Sequence, residues 1–90
     1  MYLYLGEDTV AVQNDIIGIF DIENTSISKH TKEFLKSSEK SGRVINVSYD
    51  MPKSFVVSVD DNEKETVYIC HISAAVLRKR NVMFRVEQTH

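Results

Sequence analysis

Three histidines and one cysteine are the residues of this chain best suited to bond-making chemistry, and their placement argues against it. His30, His71 and His90 are far apart in sequence and fall on a helix surface, in a strand and at the chain end. A nucleophilic Cys70 needs a base within hydrogen-bond distance, yet in a strand the adjacent His71 projects to the opposite face. A zinc site needs several cysteines and histidines at ligand spacing, which one cysteine cannot supply. The acidic run Asp60-Asp61-Asn62-Glu63-Lys64-Glu65 lacks the glycine and the spaced ligands of a calcium loop, and reads as a solvated turn. Glycine-rich phosphate loops, dinucleotide motifs and nucleophile elbows do not occur. The expectation is a non-enzyme with no metal, no cofactor and no small-molecule substrate.

The other chemistry open to the chain is recognition of a polyanion. Its candidates for DNA contact are Lys53, beside Pro52 in a turn, and the cluster Arg78, Lys79, Arg80 with Arg85. The net charge is −2, so any attraction to nucleic acid must come from a local patch. One copy neutralises only a few phosphates, and each contact is lost with salt. A symmetric assembly repeats the same side chains and lets DNA engage several copies. A basic last helical turn that complements the helix dipole explains the same cluster without DNA.

The elements that position these residues follow from hydropathy patterning. Ninety residues with 42% apolar content are expected to make a single domain, residues 1–90, near the small end of what folds alone. No apolar run approaches the ~20 residues that span a bilayer, and the first residues lack a signal peptide's basic start. No membrane association and a cytoplasmic location are expected, which the lone Cys70 suits. Residues 1–5 and 9–13 flank Gly6-Glu7-Asp8 as a hairpin. Residues 16–22 are too apolar and β-branched for a half-exposed strand, so they are expected to be buried on both faces or to lie at an interface, with a bulge at Gly18.

An amphipathic helix is expected next, capped by Asn24, Thr25, Ser26 or Ser28 and ended at Gly42, with Ile27, Thr31, Phe34, Leu35 and Ser38 on its buried stripe. Residues 47–59 read as strand, proline turn and strand at the centre of the molecule, with Ile45, Val47 and Tyr49 on one side. Thr66 to Ile72 pairs back. Ser73 caps a short helix over 74–80, and Val82, Phe84 and Val86 then alternate like a strand needing a sheet edge, within the molecule or from a neighbouring subunit. The fold class is α+β: a small, mostly antiparallel sheet with one amphipathic helix and a short C-terminal helix. Ile17, Ile19, Phe20, Val82 and Phe84 are the candidate oligomer-interface residues.

Leu3-Tyr4-Leu5-Gly6, Asn14-Asp15-Ile16-Ile17-Gly18-Ile19-Phe20-Asp21, Pro52-Lys53-Ser54 with Phe55-Val56-Val57, and Leu77-Arg78-Lys79-Arg80 occur in an order and spacing that resembles the RemB branch of the bacterial extracellular matrix regulatory family. The resemblance runs nearly end to end. It implies a small cytoplasmic regulator connected with biofilm matrix expression. The RemA relatives form ring-like homo-oligomers that bind DNA through repeated arginines. Asp15 stands where the RemA pattern has a basic residue, and Met51 and Pro52 stand where it has an arginine pair. The resemblance implies assembly of this chain into a ring-like homo-oligomer, and two readings stay open: a homo-oligomeric regulator of transcription with weak DNA contact, and an oligomeric protein-binding scaffold that does not touch DNA.

Overall fold

The computed structural model describes residues 1–22 and 28–88, with 82–88 followed as helical backbone. The elements are β1 (Tyr2–Gly6), β2 (Thr9–Val12), β3 (Ile16–Asp21), α1 (Lys29–Lys40), β4 (Val44–Asn46), β5 (Ser54–Val59), β6 (Glu65–Cys70) and α2 (Ala74–Gln88). The fold is α+β, with β1 and β2 as a separate hairpin and a four-stranded sheet in the order β3-β5-β6-β4.

Alternation on the central strands sends side chains to two cores. On one face Phe55, Val57 and Val67 pack with half-buried Phe34 and Leu35 of α1. On the other, Ile19, Val56 and Cys70 pack against Leu3, Leu5 and Ala11 of the hairpin and Ala74 and Leu77 of α2. A two-stranded hairpin is marginal alone, so this second core is what holds β1 and β2.

The local signals act as the residue types require. Ser28 caps α1, its Oγ accepting from the Thr31 amide at 3.1 Å, and Gly42 at φ +70° ends the helix while Arg43 N–H bonds the Ser38 carbonyl at 3.0 Å. Asn24, Thr25, Ser26 and Ile27 lie outside the described residues. Ser73 caps α2 through the Val76 amide at 3.2 Å. The register between β3 and β5 shifts between Ile16 and Gly18, the expected bulge. A Cβ on Gly18 would lie 2.4 Å from the Phe20 ring, so the glycine lets that ring fold back over the strand.

Three expectations need correction. Residues 47–59 are not strand, turn and strand. β4 is only Val44–Asn46 and runs parallel to β6, not beside β5, so β3, α1 and β4 form a parallel crossover into which β5 and β6 are inserted. Residues 47–53 are a strap that passes the end of β6, Val47 is buried, and Ile45 and Tyr49 face solvent. Second, β3 is a sheet edge rather than a doubly buried strand, with Ile17 67% exposed. Third, the chain does not return as a strand after Arg80: α2 runs on to Gln88, because no glycine or proline stops it and Asn81 is held inside the helix by Gln13. Among the described residues no helix is long and apolar enough to cross a membrane.

Candidate functional site

The basic candidates separate into two kinds once their partners are considered. Arg78, on the exposed side of α2, donates from Nη2 to the Ile19 carbonyl of β3 at 2.7 Å. Arg80 donates from Nη1 to the Tyr4 carbonyl at 3.4 Å and its guanidinium lies 5.9 Å from the centre of the Tyr4 ring. Both arginines thus clamp α2 onto neighbouring strands, and a phosphate would have to compete with those contacts. Lys79 lies between them and is exposed.

Lys53 is placed by its backbone. Its N–H bonds the Cys70 carbonyl at 2.8 Å and its carbonyl accepts from Ile22 N–H at 3.0 Å, extending both pairings of β5 by one residue. The side chain is exposed at the end of the strap, next to Met51 (80% exposed) and close in sequence to the wholly exposed Tyr49. Asp15, half-buried, ends a short 3-10 turn, Gln13–Asp15. The Arg85 side chain lies outside the described residues.

The apolar candidates also divide. Ile19 is in the core, so it offers no surface to a partner. Ile17 and Phe20 are exposed on the α1 side of the edge strand, where Phe20 stacks on Phe55 with ring centroids 4.8 Å apart. They border a cavity of about 330 Å³ beneath α1, lined also by His30, Phe34, Val57 and Glu65. Val82 and Phe84 belong to α2, and their side chains lie outside the described residues.

The groups considered for catalysis are not gathered. Cys70 is buried, and that burial pushes its thiol up to about 11 against the opposing effect of a hydrogen bond with Ser54. It is therefore a poor nucleophile. His30 sits on α1, across the sheet from the core that holds Cys70. His71 packs against Gly6, where a Cβ would come 2.8 Å from its Cε1. Among the described residues no three His, Cys, Asp or Glu side chains are placed to hold a metal.

Sequence reasoning missed Gln13. It is buried, and its Nε2 donates to the carbonyl and Oδ1 of Asn81 at 2.8 and 2.7 Å, tying the base of the hairpin to α2. A lone polar residue closing an apolar strand was the available signal.

No family model matches the chain. It is 35% identical over 88 residues to extracellular matrix regulatory protein B of Bacillus subtilis (strain 168), which covers 97% of this chain and 99% of that protein. The chain belongs to the RemB family. A RemB-like chain with this geometry has Arg78 and Arg80 engaged within the fold, and carries exposed apolar side chains on an edge strand.

Proposed function

We propose that the chain is a non-enzymatic cytoplasmic regulator of extracellular (biofilm) matrix production that works as a homo-oligomer, through protein contacts, to affect transcription of matrix genes. The observation that carries this reading is the exposure of Ile17 and Phe20 on an open strand edge beside an unfilled apolar cavity. Such surface on so small a protein marks an interaction site. The name of the Bacillus subtilis relative supports the link to the matrix.

Light scattering on the purified chain tests the assembly. An oligomer at micromolar concentration is expected, with Ile17→Lys reducing its mass, and a clean monomer would overturn the reading. In a host lacking the protein, Ile17→Lys should also lose regulation of a matrix-gene reporter.

A second reading, direct DNA binding by a ring, is favoured by the exposed Lys53 and Lys79. It requires affinity for duplex DNA that falls steeply with salt and weakens on Lys53→Glu or Lys79→Glu. An intact oligomer that binds no duplex at low salt excludes it.

A further inference from the structure

The β1–β2 hairpin has an inner face and an outer face, and both are apolar. Leu3 and Leu5 on β1 and Ala11 on β2 point into the core. The outward set consists of Tyr2 paired with Val12 and Tyr4 paired with Val10, directly across the ladder. All four are substantially exposed: Tyr2 61%, Tyr4 46%, Val10 48% and Val12 43%. An antiparallel ribbon with one face in water ordinarily alternates apolar with polar residues. Here the alternation is missing, and the Arg80 guanidinium beside the Tyr4 ring leaves all four side chains substantially exposed.

We propose that this outer face is a self-association surface on which a second copy seats its own hairpin, face to face. The proposal rests on the homo-oligomeric reading above but assigns a different surface from Ile17 and Phe20, on the opposite side of the four-stranded sheet. Two observations select a second copy as the occupant. One is area: with Met1, also exposed, the four side chains present on the order of 400 Å² of mostly apolar surface. Two such faces bury about twice that, and with a polar rim approach the roughly 1,000 Å² a specific contact needs. The other is shape. Both tyrosines are on β1 and both valines on β2. A two-fold axis parallel to the strands lays β1 of one copy over β2 of the other, so each large ring meets a small side chain and the patch is complementary to itself.

The experiment compares wild type with Tyr4→Thr/Val10→Thr and, separately, Tyr2→Thr/Val12→Thr, all by light scattering at matched concentration. Threonine keeps strand propensity, and unchanged far-ultraviolet circular dichroism with a cooperative melt establishes that each variant folds. Both double variants are expected to fall to about half the wild-type mass. Folded variants that keep the wild-type mass overturn the proposal. If that mass still drops on Ile17→Lys, the assembly reading stands and only the hairpin contact is lost. As a direct check, copies carrying Tyr4→Cys mixed with copies carrying Val10→Cys should be joined by a bismaleimide whose spacer spans the roughly 10 Å between packed sheets, a gap too wide for a direct disulfide. Native Cys70 is buried and does not compete. No crosslink in any combination of these copies also overturns the proposal.

Discussion

The two faces of the four-stranded sheet are built from the same strands and closed to different degrees. Against the hairpin and α2, Leu3, Leu5, Val56, Cys70 and Leu77 are at most 1% exposed. Against α1, the strands contribute buried Phe55, Val57 and Val67, but the described apolar side chains of the helix, Phe34 and Leu35, are half-buried, and a cavity of about 330 Å³ remains beside them. A helix with one narrow stripe covers only part of a sheet. A helix and a hairpin together cover the other face far more fully. The closed face therefore carries more of the stability of the fold, and the open one leaves Ile17 and Phe20 exposed to solvent.

If that division is right, truncation has unequal consequences. Leu77→Ala removes a wholly buried side chain from the closed core and is expected to cost about 2–5 kcal/mol. That is a large part of the roughly 5–10 kcal/mol expected for a chain of this length. Leu35→Ala, on the half-buried stripe of α1, should cost about 1 kcal/mol. Urea unfolding of both variants measures the contrast, and equal losses would erase it.

The closed face should also set the alkaline limit of stability. Below the ordinary thiol value of 9.0, Cys70 is protonated in both the folded and unfolded chain, and its contribution is fully present. As pH rises from 9 the unfolded chain gives up the proton first, because burial holds the folded thiol at about 11. Stability should fall across that interval by about 2–3 kcal/mol. Cys70→Ala should flatten this part of the profile when unfolding is followed at about pH 8 and about pH 10.5. A variant with the wild-type slope would place the loss on other groups.

Much of this architecture was legible in the sequence, and its failures share a cause. The β1–β2 hairpin, the Ser28 and Ser73 caps, the bulge at Gly18 and the end of α1 at Gly42 are local events, each decided within a few residues. The parallel pairing of β4 with β6 is not local, since nothing in Val44–Asn46 announces which strand it will join. The alternation of Val82, Phe84 and Val86 suggested a strand, yet an unbroken helix continued through them. At the candidate site, the exposure of Lys53 is legible in the sequence, but its place at the end of a strap rather than in a turn is not. The engagement of Arg78 by Ile19 and of Arg80 by Tyr4 depends on chain segments more than 50 residues away, which patterning does not relate.

The finest comparison uses one residue type on both faces. Ser54, on the closed side opposite Cys70, is fully buried and donates from Oγ to the Ile72 carbonyl at 2.7 Å. Ser38, on the buried stripe of α1, is equally inaccessible, and its Oγ has no hydrogen-bond partner among the described residues. A buried hydroxyl with a partner contributes about 1 kcal/mol, whereas one without carries an unreturned desolvation cost. Ser54→Ala should therefore destabilise by about 1–2 kcal/mol, leaving the Ile72 carbonyl unpaired. Ser38→Ala should stabilise by about 0.5–1 kcal/mol, since it removes the orphaned hydroxyl and adds the better helix former. The opposite signs can be read in a single pair of thermal melts. If Ser38→Ala destabilises instead, the hydroxyl has a partner in solution, and the open face is better satisfied than its packing implies.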